Sequence, residues 1–296
     1  MKTFLSSLCI LIVLFSCTKK DRPASKLEQI TTEYQSVKIK PFPIAVQSWT
    51  FRKFTFFETL EKVKALGIKY LEAYPGQTLS SDQPDLRFDH NLSDEQLQKV
   101  KEKLNEMGIT LVNYGVVDLG KDEAGMRKVF DFAKTMGITT IMAEPEFEDF
   151  PLVEKLVQEY DIQVAVHNHP QPSRYALPDT VWKYVKNLDK RIGSCADTGH
   201  WLRSGVVPVE ALRLLKSRVL SIHLKDLNEF GIRDAYDVPF GKGVANIHDI
   251  LAELTLQDYK GYLVVEHENE AEALNPSPSI SKGLEYIRSI TTFEER

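Results

Sequence analysis

Four short stretches in the second half of the chain decide the fold, because each ends a predicted strand in a metal-ligand residue. They read Val164-Ala-Val-His167-Asn-His169, Gly193-Ser-Cys-Ala-Asp197-Thr-Gly-His200, Val219-Leu-Ser-Ile-His223 and Tyr262-Leu-Val-Val-Glu266. Each stretch follows the previous one after about one strand–helix repeat, and polar residues at successive strand ends are typical of a barrel mouth. The stretches therefore predict a metal at the mouth of a parallel barrel.

The remainder of the chain from Ile44 onward repeats the same alternation of short apolar strands and amphipathic helices. Glycine stands at the helix-to-strand junctions Leu66-Gly-Ile, Met107-Gly-Ile and Met136-Gly-Ile, where it is a normal helix terminator. The predicted strands are Ile44–Ser48, Tyr70–Ala73, Thr110–Tyr114, Thr140–Ala143, Gln163–His167, Gly193–Ala196, Leu220–His223 and Tyr262–Val265. Eight strands alternating with helices predict an α/β fold, the (β/α)8 TIM barrel.

An open doubly wound sheet is the alternative fold. That fold usually carries a glycine-rich phosphate loop after its first strand. Here the first predicted strand is followed by Trp49-Thr-Phe-Arg52, which has no such loop. The barrel is therefore the favoured interpretation.

The N-terminus has the features of an export signal. Lys2 precedes the apolar segment Phe4–Phe15, which is too short to span a bilayer, and Leu14-Phe15-Ser16-Cys17 resembles a bacterial lipobox. We expect residues 1–17 to be a lipoprotein signal ending at a lipidated Cys17, residues 18–38 a flexible tether, and residues 39–296 the barrel. A plain secretory signal with an incidental cysteine is the alternative. On either interpretation the protein acts outside the cytoplasm, and the lipoprotein interpretation places it at the periplasmic or outer surface of a bacterial membrane.

Composition narrows the classes of partner. The chain is 43% hydrophobic and 27% charged with a formal net charge of -5, which is ordinary for a globular domain and gives no basic face for nucleic acid. Besides Cys9 and Cys17, the only cysteine is Cys195, so the mature domain has no internal disulfide. We expect a small carbohydrate partner, membrane contact through the lipid anchor alone, and leave self-association into a homo-oligomer open.

Nearly every predicted strand ends in a polar or ionisable residue. A purely structural barrel has no need of them, since a buried charge is costly unless it is paired or bound to metal. From the first strand to the eighth these residues are Gln47 and Trp49, Glu72 and Tyr74, Asn113 and Tyr114, Glu144 and Glu146, His167 and His169, Asp197 and His200, His223 and Lys225, and Glu266 and Glu268.

The metal ligands predicted from this ring are His167, Asp197, His223 and Glu266. A set that mixes imidazole with carboxylate suits one divalent transition metal such as Mn, Co, Ni or Zn, whereas Mg or Ca prefers oxygen alone.

Substrate and catalytic residues are predicted from the same strand ends. His200 is expected to face the cavity, with the glycine before it permitting a tight turn. Lys225 either neutralises an oxyanion or forms a surface ion pair with Asp226, and Pro239-Phe-Gly-Lys-Gly243 is a candidate cradle for a substrate hydroxyl. Aromatic residues near the mouth, which are expected to stack on a sugar or to pack in the core, are Trp49, Tyr74, Tyr114, Trp201 and Phe240.

From Ile44 to about Ile287 the chain resembles the sugar phosphate isomerase/epimerase family, the xylose isomerase-like TIM barrels related to endonuclease IV. The motifs that carry the resemblance are Ala165-Val-His-Asn-His-Pro170, Cys195-Ala-Asp-Thr-Gly-His200, Ser221-Ile-His-Leu-Lys-Asp226 and Val264-Val-Glu266. The resemblance implies one divalent metal held by a carboxylate on the fifth strand, then by Asp197, His223 and Glu266. The fifth-strand carboxylate does not match, because this chain has His167 there.

That difference bears on the expected reaction. In the family, the carboxylates of the fifth and eighth strands flank the sugar and carry its proton. With His167 as a ligand, His169 or His200 is expected to take over as base, while Lys225 and Glu266 complete the catalytic set. The expected substrate-binding residues are Trp49, Glu72, Asn113, Glu144 and Trp201.

Three functions remain open. The resemblance implies that a metal polarises a sugar carbonyl while a base removes the adjacent proton, which favours a lyase that eliminates the leaving group of a 3-keto-glycoside. An isomerase or epimerase acting on a free ketose or sugar phosphate is the first alternative, although sugar phosphates are scarce outside the cytoplasm. A non-catalytic sugar-binding barrel is the second. A nuclease is disfavoured by the acidic balance.

Overall fold

A computed structural model of the protein describes residues 34–292. Eight parallel strands close into a barrel in the order β1-β10-β9-β8-β7-β6-β5-β2, which confirms the predicted fold. The barrel strands are β1 (Ile44–Gln47), β2 (Tyr70–Ala73), β5 (Thr110–Val117), β6 (Thr140–Ala143), β7 (Gln163–His167), β8 (Ile192–Asp197), β9 (Val219–Leu224) and β10 (Leu263–Val265). Each predicted strand coincides with one of these to within a few residues.

Helices cover the outside of the barrel. They are α1 (Phe56–Ala65), α2 (Asp94–Met107), α3 (Glu123–Met136), α4 (Phe150–Tyr160), α5 (Pro178–Val185), α6 (Thr198–Arg203), α7 (Pro208–Leu215), α8 (Ile247–Leu256) and α9 (Ser277–Ile290). A capping box formed by Ser93 and Gln96 starts α2, and Gly108 ends it in the left-handed conformation at φ 67°. Within residues 34–292, no helix combines the length and apolar character needed to cross a membrane.

A two-stranded hairpin interrupts the repeat and was not predicted. It consists of β3 (Gln77–Ser80) and β4 (Gln83–Phe88), which pair antiparallel directly after the second barrel strand. Phe88 stacks on Phe56 with ring centroids 4.2 Å apart, so the hairpin is anchored on α1. Tyr74 and Pro75, which lead into the hairpin, are thereby fixed at the barrel mouth.

The packed domain includes residues before the predicted boundary at residue 39. Tyr34 is buried, and its hydroxyl donates a hydrogen bond to the Glu253 carboxylate on α8. Ile39 then pairs with Thr291 in an isolated parallel bridge. Residues 34–38, which were assigned to the tether, therefore include an anchoring residue of the domain. The predicted signal, Cys17 and the rest of the tether lie outside the described residues.

The barrel interior divides into an apolar lower half and a polar upper half. Small clusters fill the lower half, one around Ala45, Val112 and Val264 and the other around Met142, Ala165 and Cys195. The large core lies between strands and helices and holds residues such as Tyr114 and Trp201. The upper half is left for the polar strand ends.

Close packing of β8 against β9 gives a test of the barrel. A Cβ on Gly193 would lie 2.2 Å from the Arg218 carbonyl oxygen and 2.7 Å from Leu220 Cγ, so the strands must move apart to accommodate it. We expect Gly193→Ala to lower the free energy of unfolding by about 1–3 kcal/mol in urea titration. Gly125→Ala on α3 is the control, because the atom nearest to its Cβ, Oδ1 of the N-cap residue Asp122, would be at 3.4 Å and alanine favours a helix. Equal stability of the two variants would contradict the proposed strand contact.

Candidate metal centre and active site

A cavity of about 390 Å³ opens at the carboxyl ends of the barrel strands. Trp49 and Tyr74 form one wall, with their rings edge to face at 4.9 Å between centroids. Histidines and carboxylates form the floor and the opposite wall, namely His167, His169, His200, His223, Glu266 and Glu268. The cavity is therefore polar and ionisable on one side and aromatic on the other.

Three of the four predicted metal ligands converge on the floor of this cavity. Glu266 Oε2 lies 3.0 Å from His223 Nδ1, and His223 Nδ1 lies 3.7 Å from Asp197 Oδ2. All three side chains are buried, and their ligand atoms lie within 4.8 Å of one another. Such a set of two carboxylate oxygens and one imidazole nitrogen suits a divalent transition metal.

The hydrogen bonding of this cluster fits a cation. Among the described residues, Asp197 Oδ2 and His223 Nδ1 are buried side-chain atoms without a hydrogen-bond partner. Buried polar groups are normally satisfied, and Asp197 Oδ2, although it has the Lys225 ammonium at 2.9 Å, keeps a lone pair that can bind a cation together with His223 Nδ1. The opposite oxygen, Asp197 Oδ1, is already used, since it accepts the His200 backbone N–H at 2.7 Å at the start of α6.

Glu72 fixes the orientation of His223. Its Oε1 lies 2.6 Å from His223 Nε2 and also accepts from Gln47 Nε2 at 2.7 Å, while Oε2 accepts from Asn113 Nδ2 at 2.9 Å. A carboxylate against Nε2 keeps the proton on that nitrogen and leaves the Nδ1 lone pair directed at Asp197 and Glu266. This is the arrangement by which a carboxylate orients a metal-ligating histidine.

His167 has the same arrangement on the fifth barrel strand, β7. Its Nδ1 lies 3.4 Å from Glu144 Oε1, and its Nε2 lies 3.6 Å from Asp197 Oδ2. Nε2 of His167 and Nδ1 of His223 therefore face the same oxygen, Asp197 Oδ2. Asp197 thus joins His167 to the cluster of His223 and Glu266, and His167 stands where the family resemblance implies a carboxylate.

His200 differs from the other histidines in its partner. Arg203 NH1 lies 3.0 Å from His200 Nδ1, and an arginine can only donate, so Nδ1 accepts and the ring proton must reside on Nε2. Burial lowers the pKa of His200 well below its usual value, assisted by the nearby charges of Lys225 and Arg203. His200 is therefore a neutral N–H donor, with Nε2 3.6 Å from Asp197 Oδ2.

His169 has its two ring nitrogens in the opposite states to those of His200. Its Nδ1 makes a short hydrogen bond to Glu144 Oε1, which places the proton on Nδ1 and leaves the Nε2 lone pair free. Burial alone would raise the pKa of Glu144, but hydrogen bonds from His167 and His169 lower it below its usual range. Since the side chain of His169 is 48% exposed and lines the cavity, it can accept a proton from a bound molecule.

Lys225 is a buried ammonium beside the metal cluster. Its Nζ lies 2.9 Å from Asp197 Oδ2, 2.9 Å from Glu266 Oε2 and 2.5 Å from Glu268 Oε2. Burial would lower the pKa of Lys225, but the surrounding carboxylates raise it well above the usual value. The residue therefore stays positively charged. The alternative of a surface pair between Lys225 and Asp226 is wrong, because Lys225 is fully buried and its ammonium contacts Asp197, Glu266 and Glu268.

Gly199 makes room for this lysine. A Cβ on Gly199 would lie 2.7 Å from Lys225 Cδ and 2.9 Å from Lys225 Cβ. The glycine of Asp197-Thr-Gly-His200 is therefore required by the passage of the lysine stem, and the predicted tight turn is replaced by the first turn of α6.

The glycine-rich segment Pro239–Gly243 does not cradle a substrate. Its amides are engaged by Asp226, whose carboxylate accepts the N–H of Gly241 at 2.9 Å and of Gly243 at 3.0 Å. A Cβ on Gly243 would lie 2.3 Å from Asp226 Oδ1, so the glycine allows the loop to close on this carboxylate.

Several predicted substrate-binding residues are placed elsewhere. Glu72 and Asn113 lie beneath the cavity floor, where Glu72 contacts both His223 and Asn113, and Glu144 holds two histidines. Trp201 is completely buried in the core, because it lies on the side of α6 that packs on the barrel. Tyr114 and Phe240 are buried as well. Of the predicted aromatic residues, Trp49 and Tyr74 line the cavity.

Two supporting residues, Arg203 and Asn168, were missed by sequence reasoning. Arg203 contacts His200, Glu268 Oε2 at 3.2 Å and Asp237 Oδ2 at 3.1 Å. Asn168 joins β7 to β8, since it accepts the Asp197 N–H at 2.8 Å and donates to the Asp197 carbonyl at 3.0 Å. For Arg203 the available signal was its position three residues after His200 on one helix.

The comparisons with known proteins agree with this fold. The sequence profile described as xylose isomerase-like TIM barrel matches residues 60–290. An inosose dehydratase from Histophilus somni is 27% identical over 209 residues, which is 63% of this chain and 67% of that protein. The chain spans 53% and 50% of the length of two further inosose dehydratases.

Solved structures share the fold. An uncharacterised protein from Parabacteroides distasonis has a TM-score of 0.68 and 30% identity over 84% of this chain and 99% of that chain. The E. coli 3-keto-D-glucoside 4-epimerase has a TM-score of 0.64 and 16% identity over 84% and 100%. The IOLI protein, solved with a zinc atom, has a TM-score of 0.67 and 15% identity over 86% and 100%.

The contact between Glu72 and His223 can be tested without turnover. In Glu72→Gln one carboxylate oxygen becomes an amide donor that faces Gln47, Asn113 or His223, all of which also donate. We expect zinc or manganese affinity, measured by equilibrium dialysis, to fall about 10–100-fold. Glu61→Gln on the exposed face of α1 is the matched control. Wild-type affinity in Glu72→Gln would show that this carboxylate does not orient a ligand.

Proposed function

Because the chain belongs to the xylose isomerase-like TIM barrel family, we propose that it is a metal-dependent lyase acting on 3-keto-glycosides. The proposed reaction removes the proton next to a sugar ketone and expels the leaving group from the neighbouring carbon. One observation carries the proposal: a carboxylate–histidine pair, Glu144 and His169, stands at the cavity beside the cluster of Asp197, His223 and Glu266.

The residues that would hold the metal are His167, Asp197, His223 and Glu266. A divalent metal in this position supplies Lewis acidity, which polarises a ketone oxygen and acidifies the adjacent C–H. Two imidazoles with two carboxylates favour Mn, Co, Ni or Zn over Mg. Glu266 fits the role of a ligand: burial would raise its pKa, but Lys225 and His223 lower it, so it stays ionised.

His169 is the proposed base. Its Nε2 lone pair is free, and Glu144 stabilises the imidazolium that forms when Nε2 takes the proton, as a carboxylate does in other histidine pairs. His200 cannot replace it, because Arg203 keeps the His200 proton on Nε2. This assigns different roles to the two histidines between which the sequence could not choose.

Positive charge and N–H donors are placed to stabilise the enediolate. Lys225 holds a buried ammonium against Glu266 and Glu268, which line the cavity, and His200 lines the same cavity with its proton on Nε2. Preorganised donors of this kind act on charge that develops during the reaction, so they lower the barrier for proton removal.

Elimination is favoured over epimerisation because the site offers one acid/base group in place of two. Epimerisation commonly uses two groups, one on each face of the sugar. Here His167 stands in place of one family carboxylate, and Glu266 is held by Lys225 at 2.9 Å and by His223 at 3.0 Å. The names of relatives support a reaction on keto-sugars, since a dehydratase eliminates water and a 3-keto-glucoside epimerase acts on a 3-keto sugar.

The isomerase or epimerase remains the second candidate, because one of the named structural neighbours is an epimerase. In that case the enediolate is reprotonated and no leaving group departs. A non-catalytic sugar-binding barrel is the third candidate, and it has no use for the metal cluster.

A product assay separates these candidates. We expect a metal-loaded sample to release methanol from methyl 3-keto-glucoside, and His169→Ala to lower kcat about 10²–10⁴-fold because the base is lost. His248→Ala on α8 is the control, since His248 does not line the cavity. Exchange of the α-proton in deuterated water without methanol release would favour the epimerase. Binding without either reaction would favour the non-catalytic barrel.

We also propose that the protein is attached to a bacterial membrane through Cys17, on the grounds of the lipobox-like Leu14-Phe15-Ser16-Cys17. Radiolabelled palmitate should be incorporated into the full chain during growth and should be absent from Cys17→Ser. Cys195→Ser is the control, because that thiol is buried in the barrel. Labelling of Cys17→Ser at the wild-type level would refute the anchor.

A further inference from the structure

A second cavity, of about 600 Å³, adjoins the first at the barrel mouth. His169 and Val116 line both cavities, so the proposed base stands at their junction. The second cavity extends from there over the loop after β5 and the start of α4, where Asp118, Lys121 and Asp149 lie. Neither the metal cluster nor the aromatic wall reaches it.

We propose that the second cavity is the subsite for the leaving group, and that this leaving group is a second sugar. This inference rests on the proposed lyase function and specifies its substrate as a 3-keto-disaccharide. The oxidised ring would occupy the first cavity, between Trp49 and the metal cluster. The other ring would occupy the second cavity, beyond His169.

The chemistry of elimination links the two cavities. The carbon that loses its proton is bonded to the carbon that loses the glycosidic oxygen, so the leaving group must depart within two bonds of the base. His169 Nε2 takes the proton, the C–H electron pair becomes the carbon–carbon double bond, and the bond to the glycosidic oxygen breaks. That oxygen receives the proton from His169 and leaves as an alcohol, which restores the base. A leaving group next to His169 must therefore lie along the second cavity.

The lining of the second cavity indicates the class of leaving group. Carboxylates of Asp118, Glu144, Glu146 and Asp149 face it, against one ammonium, Lys121. Such a lining offers acceptors to hydroxyl groups and repels a phosphate, sulfate or uronate. No phenylalanine, tyrosine or tryptophan is among its described lining residues, in contrast to the wall of Trp49 and Tyr74 in the first cavity. A polyhydroxylated, uncharged leaving group fits both observations.

Asp149 is the residue best placed to test the subsite. It stands directly before α4 but makes no capping hydrogen bond with its side chain, so its carboxylate is not committed to the helix. It is also partly exposed, so replacement does not disturb the core. Glu144 and Glu146 are less suitable, because Glu144 holds the base and Glu146 pairs with Arg174 at 2.5 Å.

The experiment compares two substrates in three proteins: wild type, Asp149→Trp and the control Asp82→Trp. Asp82 lies in the exposed turn of the hairpin between β3 and β4. We expect Asp149→Trp to raise KM for a 3-keto-glucosyl-glucose about tenfold, which corresponds to about 1.4 kcal/mol, by filling the cavity. KM and kcat for methyl 3-keto-glucoside should stay within about twofold, and Asp149→Ala should show a smaller effect in the same direction.

The outcomes separate the subsite from the proposed function. Equal losses on both substrates, or no loss on either, would overturn the subsite while leaving the lyase intact. If the wild type turns over neither substrate, the proposed lyase function is refuted. The subsite is then tested by measuring binding alone. In that case the unoxidised disaccharide should bind more tightly than methyl glucoside in calorimetry, and Asp149→Trp should abolish the difference. A difference that survives Asp149→Trp would overturn the subsite.

Discussion

The carboxylate of Asp197 is the group on which the rest of the site depends. One oxygen accepts a backbone N–H and starts α6, which carries His200 and Arg203 into position. The other oxygen is surrounded by His167, His223, His200 and Lys225 at 2.9–3.7 Å. A fully buried carboxylate with this many nitrogen neighbours is tolerable only if positive charge is shared around it. The Asp197 side chain therefore both starts a helix of the fold and holds the residues of the site together.

Each of the four histidines has a charged neighbour on one ring nitrogen, and this neighbour determines what the other nitrogen can do. Carboxylates stand behind His167 and His223, so both direct a lone pair at Asp197. His169 also has a carboxylate partner, but its free nitrogen faces the cavity, which makes it a base. His200 has Arg203 as a partner and becomes a donor. Four identical side chains thus acquire three roles from the charge of the neighbour on the far side of each ring.

The sequence predicted the barrel and its ring of polar strand ends because both follow from local periodicity. Strand bounds, helix caps and the convergence of His167, Asp197, His223 and Glu266 all depend on residues adjacent in sequence or at matching strand ends. Contacts between distant segments were not accessible in this way. Glu72 reaches His223 across 151 residues, and its role below the floor needs the barrel to be closed. The hairpin and the burial of Trp201 likewise depend on packing that periodicity does not encode.

The missing side chain at position 199 has a consequence for the family at large. Because Gly199 and Lys225 occupy the same volume, a relative with any larger residue at position 199 has no room for the lysine stem. The two positions should therefore covary across homologues, with lysine at 225 confined to chains that keep glycine at 199. Such a pair is a sequence marker that divides the family into barrels with an internal ammonium beside the metal ligands and barrels without one.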